Sequence, residues 1–139
     1  MTDVHSKETR SFNMSRIKGK NTKPEILVRR HLFSKGFRFR LHDKNLPGKP
    51  DIVLKKYKTV IFVNGCFWHG HKNCKYAVIP KTRTEWWKDK INKTISRDSY
   101  NHSTVIKDGW NVVIIWECHL KPDRITKTLE DLVLELHSL

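Results

Sequence analysis

The sequence predicts a single-domain α/β fold, a three-layer-like sandwich around a mixed central sheet. Three observations support it. Ile52-Val53-Leu54, Thr59-Val60-Ile61-Phe62-Val63 and Asn111 to Trp116 are short runs of strand length and β-branched composition. Segments whose apolar residues recur at helical spacing stand between and around these runs. At 139 residues the chain can bury one sizeable core, and no shift in composition marks a second.

The expected order is α-β-β-β-α-β-α. Residues 1–21 carry Arg10, Arg16, Lys18 and Lys20 with almost no apolar periodicity, so they read as a flexible basic arm and leave 22–139 as the folded domain. Thr22-Lys23-Pro24-Glu25 has the form of a capping box. Ile26, Leu27, His31 and Leu32 follow it at helical spacing, which predicts a helix to about Gly36. Phe37, Phe39 and Leu41 alternate with Arg38, Arg40 and His42, the period of a half-buried strand whose basic side faces outward.

Turn chemistry at Leu46-Pro47-Gly48-Lys49-Pro50 delivers Asp51 to the next strand, which forms a central hairpin with Thr59–Val63 across Lys55-Lys56-Tyr57-Lys58. Asn64 to Arg83 shows no period and reads as a loop held by something other than a core. A helix is expected from Thr84 to Lys107, stopped by Gly109, and one of Trp86 and Trp87 is expected in the core. After the strand Asn111–Trp116, the stripe Ile125, Leu129, Leu132 and Leu136 marks a closing helix.

Charge limits the partner. Lys and Arg number 28 against 14 Asp and Glu, a net +14 with a pI near 9.9, and so strong a field on so small a body favours a polyanion. A basic helix with a large apolar face, the mark of a membrane-surface protein, is missing from the pattern. No run approaches the ~18 apolar residues of a span, and MTDVHSKETR is polar where a signal peptide is apolar. An intracellular protein that binds nucleic acid is expected. Its three cysteines, an odd number, fit a disulfide framework poorly and metal ligation in a reducing compartment well.

Cys66-Phe67-Trp68-His69-Gly70-His71-Lys72-Asn73-Cys74 places two thiols and two imidazoles close together, and Cys118 follows the last strand. One structural zinc ion held by Cys66, His71, Cys74 and Cys118 would staple this loop to the sheet. Gly70 lets the backbone turn tightly enough to bring His71 round. His69 is then left over on a pinned loop, free to act as a general base. Spacing alone equally allows His69 to ligate zinc in place of His71.

Pro50-Asp51 at the opening of a hairpin is similar to the PD-(D/E)xK nucleases, in which this aspartate holds magnesium, although the Glu-x-Lys of that motif is replaced by Phe62-Val63-Asn64. A fuller likeness runs along nearly the whole chain. Glu25, Pro47-Gly48-Lys49-Pro50-Asp51, Val60 to His69, Thr82-Arg83-Thr84-Glu85-Trp86-Trp87, Arg97-Asp98, Gly109-Trp110 and Trp116-Glu117-Cys118 together resemble the very-short-patch repair (Vsr) endonucleases.

That resemblance implies a restriction-endonuclease-like fold and a monomeric, Mg²⁺-dependent enzyme of the prokaryotic cytoplasm. Its substrate would be duplex DNA nicked beside a T:G mispair, with mismatch-repair proteins as further partners. Asp51 and the backbone carbonyl of Val63 would hold Mg²⁺, two ions when DNA is bound. His69 would be the base, Glu25 and Asp98 would orient water around the metal, and Asn64 stands at a further catalytic position. Phe67, Trp68 and Trp87 would wedge between base pairs, where unstacking costs least at a weak pair. Met14, Arg16, Lys20 and Lys90 would contact DNA. Family members often carry Thr-His where this chain has Val63-Asn64, and Asn where it has Thr94. The +14 charge and Asn64 also allow a non-cleaving binder of mispaired or branched DNA, or a nuclease tolerant of several mispairs.

Overall fold

The computed structural model describes residues 21–139. The basic arm, with Met14, Arg16 and Lys20, therefore lies outside the described residues but for Asn21. Helix α1 spans Lys23–Ser34. Thr22 caps it by accepting the Glu25 N–H at 3.4 Å, and Gly36 follows its end at φ +90°, a left-handed conformation that favours glycine. The strands are β1 (Arg40–Leu41), β2 (Ile52–Leu54), β3 (Thr59–Asn64) and β4 (Asn111–Trp116). Between β3 and β4 runs the long helix α2, Thr84–Lys107, and α3, Ile125–His137, closes the chain.

The sheet order is β1-β2-β3-β4. The first three strands are antiparallel, with Ile52 opposite Ile61, and β3 pairs in parallel with β4, with Ile61 opposite Val113. The sheet is thus mixed, because the hairpin needs only a short turn whereas the parallel pair needs a crossover, supplied by α2.

Alternation along β2 and β3 divides the core. Ile52, Leu54 and Ile61 pack with Val28 and Leu32 of α1 and Leu129, Leu132 and Leu136 of α3. Val53, Val60 and Phe62 face the other way, against Val105 of α2. Helices therefore cover both faces of the sheet, which explains why β2 and β3 read as continuous apolar runs.

Three expectations fail locally. The strand expected from Phe37 shrinks to Arg40–Leu41, although Phe37 is buried and Arg38 and Arg40 are exposed as the alternation required. His42 does not share their outward direction: its backbone turns to φ +50° and its imidazole meets the buried Glu25. Neither tryptophan of the adjacent pair joins the core. Trp86 is 45% exposed and Trp87 half-buried, because that end of α2 extends past the sheet and buries only Ile91.

Candidate active site and metal centre

Two clusters form at the ends of β2, β3 and β4. The first begins with Asp51, immediately before β2. Its Oδ2 accepts the Val63 N–H of β3 at 2.7 Å, which fixes the carboxylate against the sheet. Burial pushes this carboxyl up to about 6, Glu25 adds to the effect, and the Val63 N–H with the imidazoles of His42 and His69 opposes it. A cleft of about 250 Å³ opens there, lined by Asp51, Val63, Asn64, His69, Asp98 and His102 among others.

His69 reaches the cleft from the loop after β3, where its N–H bonds to the Gly65 carbonyl at 3.2 Å. Its Nδ1 donates to Asp98 Oδ2 on α2 at 2.6 Å, so Nε2 remains as the nitrogen available to a proton. Gly48 brings the Pro47–Pro50 turn hard against α2. At φ +78°, an added Cβ would sit 3.1 Å from both Asn101 Cβ and Phe62 Cε1, so only glycine lets the turn approach this closely.

Glu25 is buried, at 2% exposure, and its two oxygens have separate partners. Oε2 accepts the Asn21 N–H at 3.0 Å, completing the helix start. Oε1 accepts from Arg29 Nη1 at 3.3 Å and from His42 Nε2. The capping role and the site role thus fall on different atoms of one carboxylate. Donor atoms of Glu25, His42 and Asp51 lie within 4.8 Å of one another.

The second cluster unites Cys66, His71, Cys74 and Cys118, whose donor atoms also lie within 4.8 Å of one another. The Cys118 N–H donates to Cys66 Sγ at 3.4 Å, His71 Nδ1 lies 3.5 Å from Cys118 Sγ, and the His71 ring stacks on Trp116 at 4.0 Å. Burial pushes the Cys66 thiol up to about 12 and lowers the His71 imidazole below its usual value. Three thiols gather around this imidazole, and the Arg124 guanidinium opposes the rise of the Cys118 thiol without outweighing burial. An S₃N donor set of this kind suits Zn²⁺, which takes four such ligands. His69 faces Asp98 instead, so the geometry favours His71 over it as the fourth donor.

Beside the cleft, Phe67, Trp68 and Trp87 form one aromatic group, with ring centroids 5.1 to 6.0 Å apart. Trp68 is 42% exposed. Trp86 packs edge-on against Trp87 at 4.8 Å, and the cations of Arg83 and Lys90 lie over its ring at 4.8 and 5.5 Å. An exposed aromatic ledge flanked by cations offers stacking and phosphate contacts together. Thr94 turns its hydroxyl back onto the Lys90 carbonyl at 3.2 Å, so its donor is spent within the helix.

Two residues in or beside the cleft were not expected. His42 was hidden because alternation placed it with the arginines, and only its positive φ turns it inward. His102 was visible: it stands four residues after Asp98 on α2, hence on the same helix face. It packs against Phe62 at 4.6 Å, and burial lowers its imidazole, with Asp98 opposing and His69 adding to the shift.

Comparison with known proteins places these clusters in context. The family model "DNA mismatch endonuclease Vsr" matches residues 2–75. The nicking enzyme V.NmeAIP of Neisseria meningitidis is 50% identical over 137 residues, covering 98% of this chain and 97% of that protein. V.XorIIP of Xanthomonas oryzae is 46% identical over 120 residues, covering 86% and 88%. The DNA mismatch endonuclease Vsr of Escherichia coli is 42% identical over 137 residues, covering 94% and 87%. With a family match over more than half its length and relatives that run alongside nearly all of it, this chain belongs to the Vsr family of DNA mismatch endonucleases.

Proposed function

We propose that this endonuclease nicks one strand of duplex DNA beside a T:G mispair left by deamination of 5-methylcytosine, and that it needs Mg²⁺ to do so. One observation carries the reading: Asp51 and the His69–Asp98 pair line the same cleft. Phosphodiester hydrolysis asks for charge neutralisation, an activated water and a stabilised leaving oxygen, and this cleft has residues for each.

The Asp51 carboxylate and the Val63 carbonyl are hard oxygen donors of the kind Mg²⁺ prefers, and they would hold one of two ions gathered with the scissile phosphate. Mg²⁺, when bound, supplies the positive charge that offsets the phosphate and the leaving oxygen. The Val63 N–H fixes Oδ2 of Asp51 and leaves Oδ1 for the ion. Asp98 holds His69 at Nδ1, so that Nε2 takes the proton from the attacking water. Glu25 and Asp98 would orient water, and the buried amide of Asn64 lines the cleft where relatives often place an imidazole.

Phe67, Trp68 and Trp87 would enter the base stack, and the mispair would be found because it yields most readily. Lys90, with Met14, Arg16 and Lys20 of the arm, would contact the DNA around it. Zn²⁺ on Cys66, His71, Cys74 and Cys118 would be structural, fixing the loop that carries His69. A restriction-endonuclease-like fold fits the hairpin that opens on Asp51. The setting would be a monomer in a prokaryotic cytoplasm, working with mismatch-repair proteins.

The test is nicking of matched, T:G and other mispaired duplexes with Mg²⁺ and with chelator. Asp51→Ala should abolish cleavage of the T:G substrate and His69→Ala should cut it by at least about 100-fold, while DNA is still bound. Mispair binding without cleavage in the parent protein would assign a binder instead, and equal nicking of all mispairs would replace T:G with a relaxed specificity.

A further inference from the structure

His42 has no part in the mechanism above, yet its imidazole meets Glu25 and groups with both Glu25 and Asp51. In the ladder of β1 and β2, Leu41 pairs with Ile52, and the His42 N–H continues it by donating to the Asp51 carbonyl at 3.1 Å. His42 and Asp51 are thus direct cross-strand neighbours, whose side chains lie within reach of each other. The positive φ of His42, +50°, then swings the ring off the strand direction and onto Glu25 of α1.

The outcome is a nitrogen and two carboxylates, from three separate elements, with donor atoms inside 4.8 Å. Donors at ~2.1 Å from one ion are at most ~4.2 Å apart, so a small closure brings all three within bonding range. Glu25 is held by Asn21 and Arg29 and Asp51 by Val63, which leaves the donor set pre-arranged.

We propose that Glu25, His42 and Asp51 form a mixed nitrogen and oxygen site for a divalent transition ion, and that His42 sets which ion this nuclease prefers. The inference rests on the reading of Asp51 as a cation ligand. Mg²⁺ keeps to oxygen donors and sheds water reluctantly, whereas Mn²⁺ takes carboxylates and, although the weakest of the divalent transition ions for nitrogen, accepts an imidazole more readily than Mg²⁺ does. His42 therefore biases the cleft toward Mn²⁺. The short-range contact with Glu25 Oε1 is exchanged for a shared ion, and the Glu25 charge, buried beside Arg29, becomes part of the ion's neutralisation.

The experiment uses the full chain with its zinc site filled and no DNA. Mn²⁺ and Mg²⁺ affinities are measured by titration calorimetry, and pulsed electron paramagnetic resonance of the Mn²⁺ complex is read for coupling to a ¹⁴N nucleus. The parent should bind Mn²⁺ at least ~10-fold more tightly than Mg²⁺ and show the nitrogen coupling. His42→Gln, which preserves a hydrogen bond to Glu25, should lose the coupling and most of that preference, and His69→Ala should lose neither. Parent protein without nitrogen coupling, or His42→Gln with the parent's preference, overturns the proposal. Asp51→Asn separates the two readings. Weakened binding of both ions by Asp51→Asn, with His42→Gln unchanged from the parent, sinks the His42 site alone; Asp51→Asn binding both ions as the parent does sinks the Asp51 cation site itself. Zinc content of one ion per chain in each variant identifies folded protein.

Discussion

His69 on the loop after β3 donates to Asp98 on α2 at 2.6 Å, across 29 residues of sequence. Both side chains are partly exposed, at 30% and 25%, so the contact contributes little to stability. Its value is orientation. With Nδ1 occupied, the proton-accepting position is fixed as Nε2. His69→Ala should lower nicking by about 10²–10⁴-fold, the usual worth of a positioned general base. Asp98→Asn should cost less than that, lower kcat rather than raise KM, and leave the melting temperature unchanged. A rise in KM alone would show that Asp98 serves substrate binding instead.

Asp51 gives the protein a pH dependence with a definite sign. Its folded value, about 6, lies above the ordinary 3.8, so the native state favours the protonated form. The stability this contributes is fully present below the unfolded value and is lost as pH rises through about 6. Metal-free protein at pH 7.5 therefore carries a buried carboxylate at a cost of at most about 3 kcal/mol. Asp51→Asn should raise the melting temperature of metal-free protein at pH 7.5 and abolish nicking. Stabilisation by Mg²⁺ should run the opposite way, present at pH 7.5 and fading below pH 6. Equal Mg²⁺ stabilisation at pH 5 and 7.5 would remove Asp51 from the cation site.

The sequence carried the fold further than the site. The capping box at Thr22, the strand runs of β2 to β4 and the stripe of α3 are local signals that tertiary packing reinforces, and each element formed near its expected place. His42 was lost because alternation is a property of a regular strand, and this strand lasts two residues before a left-handed turn reverses the side chain. Trp86 and Trp87 misled for a related reason. Large apolar residues usually mark a core, but α2 at 24 residues is longer than the sheet beneath it, and its first turns meet the loop residues Phe67 and Trp68 rather than the sheet. What places Asp51, Glu25 and His69 together is the meeting of three chain segments, which no local pattern encodes.

Zinc can be tested on stability alone. Protein prepared without chelator should contain about one Zn²⁺ per chain. Cys118→Ala should lose it and melt at lower temperature, because the ion that ties the loop to the end of β4 would lose one of its four ligands. Hydrogen exchange should then rise first in residues 66–78, before the sheet. A Cys118→Ala protein with unchanged zinc content would exclude this cluster as the site.

The aromatic ledge separates binding from recognition. Trp68, exposed at 42%, is supported edge-on by Phe67 and tilted against Trp87, so its removal leaves no buried cavity. Trp68→Ala should fold like the parent but reduce the preference for mispaired over matched duplex by about 1–3 kcal/mol, the worth of one aromatic stack on a base. Lys90→Ala should weaken both duplexes equally and flatten the salt dependence. An unchanged mispair preference in Trp68→Ala would remove the wedge.

Gly70 joins the two clusters, since His69 faces the cleft and His71 the thiols. Its φ of +61° is one reason for glycine, and packing is another: an added Cβ would lie 2.6 Å from Ile95 Cδ1 and 2.8 Å from Ile91 Cγ2. Gly70→Ala should destabilise by about 1–3 kcal/mol through strain and overpacking. It should also cut nicking, because any shift of this residue moves both imidazoles. Trimming the neighbour tells the causes apart. Ile95→Ala in the Gly70→Ala background relieves the closest contact but not the backbone strain, so melting temperature should recover in part. If nicking recovers as fully as stability, the loop is held by packing alone; if it stays low, the turn at Gly70 is what aims His69 at Asp51.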